Sequence, residues 1–148
     1  MYYLEDLNDG LEFKLGSTIM NKEAMIDFAE KYDPQAFHVD EEVGKEMFGG
    51  LIASGWQTAS LCHRLVVDSF LKQAACMASP GVDEMKFIRP VFVNDKLTGT
   101  LTVVSTRQSK TKPDRGIAKL RAELFNAKRE QVLSYIGNVM VSCRPVQK

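Results

Sequence analysis

Asp33 and His38 stand five positions apart in "YDPQAFHVD", and His38 is one of only two histidines in the 148-residue chain. A carboxylate and an imidazole can both exchange protons near neutral pH, so two such groups aimed at one molecule form an acid/base pair. Pro34 directly follows Asp33. The residue before a proline is driven out of the α region, so one continuous helix cannot carry both side chains. The sequence therefore predicts that Asp33 closes a helix and that both groups sit on a loop, free to converge. The competing reading is ordinary turn chemistry for Asp-Pro and a solvated loop histidine.

A second feature complements the pair. Ser54, Gly55 and Trp56 open a long apolar run. If that run is a helix, its first N–H groups lack intrahelical acceptors and its dipole favours negative charge there. Gly55 lets a ligand approach the backbone closely. This stretch is an expected oxyanion and substrate-binding site. Trp56 reads as a core residue, with an acyl-pocket lining as the alternative.

The surrounding elements follow from periodicity. Leu11 to Met20 alternates at Leu11, Phe13 and Leu15 and reads as a strand. Asn21 can cap a helix that Pro34 ends, and Asp40 can cap a short helix that Gly49 and Gly50 stop. From Ser54 to Ser79 apolar residues cover most of the helical circumference, which predicts a long buried helix. Four period-two segments follow: "MKFIRPVF", "KLTGTLTVVSTRQS", "IAKLRAELFNA" and "VLSYIGNVMVSCRP". Short polar joins make them antiparallel. The expected architecture is α+β, one domain over residues 1–148. In it a curved antiparallel sheet of five to six strands wraps around the central helix, a hotdog fold.

Composition removes several function classes. Nineteen basic and nineteen acidic residues balance, which argues against a nucleic-acid surface or a polybasic membrane anchor. No apolar stretch is long enough to span a bilayer and the start is no secretory signal, so a cytoplasmic location is expected. Cys62, Cys76 and Cys143 have no metal-ligand spacing, and no metal is expected. Cys62 and Cys76 read as small buried hydrophobes of the long helix. A nucleophilic cysteine beside His63 is the weaker alternative. Arg107, Lys110, Lys112 and Arg115 read as a solvated hairpin tip, with coenzyme A phosphates as the alternative.

"YDPQAFHVDEE", "FGGLIASGW" and "FIRPVFVNDKL" together resemble the MaoC-like dehydratase family, which includes R-specific enoyl-CoA hydratases. The resemblance covers nearly the whole chain. The family motif D-x-N-P-x-H stands here as Asp33-Pro34-Gln35-Ala36-Phe37-His38. The acid and the histidine match, while Gln35 and Ala36 replace Asn-Pro. Ser54-Gly55 stands where the family often has His-Gly. Ser60 is nearest to a serine that some members carry further along the helix, and His63 is the other candidate for that place.

The resemblance implies an (R)-specific hydratase acting on an enoyl-CoA thioester, with no cofactor. It also implies a homodimer or dimer-based oligomer. Asp33 and His38 would be the catalytic pair, and Ser54, Gly55 and Trp56 would meet the thioester. An acyl-CoA thioesterase on the same fold and a non-catalytic acyl-CoA-binding protein are the rival readings.

Overall fold

The computed structural model describes residues 1–147. A 3-10 turn at Leu4–Asp6 leads into β1 (Glu12–Ile19), and three helices follow: α1 (Lys22–Tyr32), α2 (Ala36–Val39) and α3 (Glu41–Phe48). Helix α4 (Gly55–Ser69) and a 3-10 turn at Leu71–Gln73 precede four strands, β2 (Cys76–Phe87), β3 (Lys96–Gln108), β4 (Arg115–Phe125) and β5 (Gln131–Ser142). The strands form one antiparallel sheet in the order β1-β3-β4-β5-β2. With α4 against its inner face, this is the expected hotdog fold, and the strand number is five.

Local chemistry sets the helix boundaries as expected. The Asn21 side chain accepts from the Ala24 N–H at 3.0 Å, and the Asp40 carboxylate accepts from the Glu42 and Val43 N–H groups. Gly49 ends α3 at φ +85°, a conformation that suits glycine. Along β4, Ala118, Leu120, Ala122 and Leu124 are buried while Lys119, Arg121 and Glu123 point outward. The inward set meets Cys62, Leu65 and Val66 of α4 in one core.

Three expectations need correction. The central helix stops at Ser69, not Ser79, because Phe70 turns inward and is fully buried beside Phe13, 4.9 Å between ring centroids. The chain then enters β2 at Cys76, nine residues before the strand expected at Met85, so Cys76 is a half-buried strand residue. The cause is position in the sheet. β2 pairs only with β5, is exposed along most of its length and is interrupted by bulges, which erases the alternation that would announce it. Finally, α4 is less fully buried than its apolar run predicts. Trp56, Ser60, His63, Arg64 and Asp68 form an exposed face, and only the opposite side is covered by the unclosed sheet. Among the described residues, no helix is long and apolar enough to cross a membrane.

Phe70 fills the place where helix, first strand and N-terminal segment meet. Phe70→Ala is expected to lower stability by about 3–5 kcal/mol, the usual cost of emptying a buried aromatic site. Urea denaturation checks this, and a loss below about 1 kcal/mol would mean that the site collapses around the cavity.

Candidate active site

Asp33 ends α1 in a non-helical conformation (φ −153°, ψ 65°), as the following proline dictates. The chain does not stay extended up to His38. It re-enters one helical turn, α2, after Gln35, so the pair sits on a helix end and a four-residue helix rather than on a loop. A single turn has no readable period, which is why the sequence hid it. The turn carries His38 inward, where it is 6% exposed.

Each side chain is held by fixed partners. The His38 Nδ1 lies 2.8 Å from the Ile52 carbonyl oxygen. A carbonyl can only accept, so Nδ1 carries a proton and a neutral ring presents a bare Nε2. That Nε2 lies 3.4 Å from Asp33 Oδ2. Ser54 Oγ donates to the same Oδ2 at 2.8 Å, and the Gln35 side-chain amide donates to Oδ1 at 2.6 Å. The hydrogen bond from Gln35, then that from Ser54, with a smaller electrostatic contribution from nearby His38, holds the Asp33 carboxyl below its ordinary value despite partial burial. Asp33 is thus an anion with two of its acceptor positions already filled. His38 and Asp33 present two acceptors across a short gap, a geometry suited to a water donating to both.

Helix α4 begins beside this pair. Ser54 occupies its N-cap position, is fully buried, and makes no capping bond to the helix. Among the described residues, the Gly55 and Trp56 N–H groups meet no hydrogen-bond acceptor. A cavity of about 230 Å³ reaches His38, Gly55 and Thr58, with Phe87 and Val132 on its other walls. A side chain at position 55 would also have to displace a neighbouring ring. A Cβ there would lie 2.8 Å from the Phe87 ring, which covers the residue. Trp56 is not core as expected. It is 59% exposed and packs edge-on against Phe87, 5.5 Å between centroids.

The structure therefore brings Asp33, His38, Ser54 and Gly55 together and leaves Trp56 at the rim. Sequence reasoning missed Gln35, the Ile52 carbonyl and Phe87. Only Gln35 had a local signal, two residues after Asp33 within the same turn. Arg89 also lines the cavity and donates to the Gln131 carbonyl at 2.9 Å.

Other candidates fall away from the site. Ser60 is exposed and donates to the Trp56 carbonyl of its own helix at 2.8 Å. Burial pushes the Cys62 thiol up to about 12, which removes it as a nucleophile. His63 is exposed and lines a separate apolar cavity of about 270 Å³ between α4, β2 and β5, with Val66, Leu120 and Tyr135. The basic hairpin lies where β4 begins, at the end of the sheet away from Val132.

The chain belongs to the MaoC-like family: the family model for the MaoC like domain matches residues 6–123. It is 33% identical over 139 residues to YdeM, an uncharacterized protein of Bacillus subtilis, covering 93% of this chain and 97% of that one. A MaoC-like dehydratase from Rhodospirillum rubrum superposes with a TM-score of 0.91 at 36% identity, over 99% of this chain and 100% of the other. An (R)-hydratase from A. caviae involved in PHA biosynthesis shares the fold, with a TM-score of 0.69 at 23% identity over 95% and 99% of the two chains.

The depressed Asp33 carboxyl has a consequence for stability. Its stabilising contribution is fully present above the ordinary carboxylate value, near pH 4, and is lost as pH falls through the lower folded-state value. Between pH 5 and pH 3 the wild type is expected to lose stability more steeply than Asp33→Asn, because the substitution removes that one titration and leaves the other carboxylates. Denaturant titrations at several pH values test this, and parallel curves would show that Asp33 titrates alike folded and unfolded.

Proposed function

We propose that the protein is an (R)-specific enoyl-CoA hydratase that adds water reversibly to a trans-2-enoyl thioester. One observation carries the reading. Two proton-exchanging groups, His38 Nε2 and Asp33 Oδ2, lie 3.4 Å apart beside the uncapped start of α4. A water donating to both acceptors would turn its lone pair toward C3 of the enoyl group. As the C3–O bond forms, the water O–H bond breaks and the pair accepts the proton. The C2=C3 electrons move toward the thioester carbonyl, whose oxygen becomes enolate-like. The Gly55 and Trp56 N–H groups and the α4 dipole would stabilise that charge. The enolate then takes a proton at C2 from the pair, so the protein ends as it began.

The likeness to hydratases and dehydratases of the same family supports this chemistry. The cavity of about 230 Å³ that reaches His38 and Gly55, walled by Phe87, Val91 and Val132, offers room for a short acyl group. No step requires a cofactor from outside the chain.

Substitution of the pair tests the reading. Asp33→Asn keeps volume and hydrogen-bonding reach but removes proton-accepting power. It should cut turnover of crotonyl-CoA about 100-fold or more, and His38→Ala should do the same. The double variant should be little worse than the poorer single one, since both serve one proton cycle. The assay is loss of enoyl absorbance, with a thiol reagent present and circular dichroism as the folding control. Well-folded single variants with near wild-type rates would remove the pair from the mechanism, and release of free thiol would point to thioester hydrolysis instead.

A homodimer is part of the same proposal. β2 is a sheet edge with Met77, Val82 and Phe87 exposed along it, and Ile88 and Trp56 are exposed nearby. An apolar open edge of this kind invites pairing with a second copy. Light scattering at micromolar concentration should give at least twice the chain mass of 16.6 kDa, and a pure monomer would contradict the assembly.

A further inference from the structure

Ser54 stands where a serine usually caps a helix. The usual N-cap side chain accepts a hydrogen bond from an N–H one turn on. Here the hydroxyl makes no such bond and donates instead to Asp33 Oδ2, 21 residues away in sequence. Ser54 is fully buried, so its hydroxyl has no bulk water as an alternative partner. From the other side Gln35 donates to Oδ1 at 2.6 Å. The carboxylate is therefore gripped by one donor on each oxygen, one buried and one exposed.

Turning away from the helix has a second effect. The first N–H groups of α4, at Gly55 and Trp56, are left without an acceptor rather than closed by a side-chain oxygen. A single serine thus links two parts of the site, the charged acceptor and the bare helix start.

We propose that Ser54, with Gln35, is a positioning residue that acts through Asp33: the two donors hold the carboxylate anionic and aimed at the gap facing His38, and Ser54 is not itself an oxyanion donor. This assignment rests on the hydratase reading for its catalytic meaning. Its structural content stands on the hydrogen bonds alone.

The test follows Asp33 directly. The protein, labelled at its aspartate carboxyl carbons, is titrated by carbon NMR, with Asp33→Asn identifying the resonance. Ser54→Ala and Gln35→Ala should each move the Asp33 titration to higher pH, and the double substitution should move it further, because each removes a donor that favours the charged form. The acid limb of kcat/KM against crotonyl-CoA should move in the same direction. A serine that matters only for packing would change stability and leave both titrations in place. An unshifted Asp33 titration in folded Ser54→Ala overturns the proposal. Gln35 is exposed, so Gln35→Ala tests the second donor in the same way even if Ser54→Ala folds poorly, and an unshifted titration there overturns the proposal too. If the Asp33 titration shifts while the wild type turns over no enoyl thioester, the positioning role stands and the hydratase reading fails.

Discussion

The site depends on one constraint: a buried imidazole whose Nδ1 is tied to a backbone carbonyl. The Ile52 oxygen, 2.8 Å from His38 Nδ1, fixes which ring nitrogen carries the proton and which faces Asp33. Everything else serves that orientation. Pro34 breaks α1 so that the chain can turn. The single turn of α2 swings His38 inward, and the Asp40 cap starts α3 so that the chain returns to Ile52. Gly44 permits the return. A Cβ there would lie 2.8 Å from both the Gly50 oxygen and the Leu51 Cα, so α3 could not pack this closely on the segment that carries Ile52.

The two halves of the site come from different kinds of structure. Asp33 and His38 are held by short helices outside the sheet. The helix start at Gly55 is anchored by the core, because Ala59, Cys62 and Val66 of α4 are buried in it. Ser54 joins the halves through its bond to Asp33. Phe87, at the end of the edge strand, closes over Gly55 and couples the site to the rim of the sheet. An assembly through β2 would therefore bear directly on the mouth of the cavity.

Much of this was legible in the sequence where local physics decides. Asn21, Asp40 and Gly49 act within their own turns, and β4 alternates because one face meets the core and the other meets solvent. The pairing of Asp33 with His38 was legible because the residue types and the intervening proline constrain it. What was not legible depends on tertiary position. β2 carries Pro80 and a glycine at φ +139° and lies exposed at the edge, so its pattern resembles a loop. Trp56 looked like core because it opens an apolar run, yet it points to the uncovered side of α4. The partner of the Ser54 hydroxyl lies 21 positions away, beyond the reach of any capping rule.

The state of the His38 ring tests the proposed site most directly. Nitrogen NMR of the labelled protein near neutral pH shows which ring nitrogen bears hydrogen. The structure predicts a protonated Nδ1, because it faces the Ile52 carbonyl. A bare Nδ1 with the proton on Nε2 would turn a donor rather than an acceptor toward Asp33. That result would contradict the two-acceptor water site on which the proposed hydration rests.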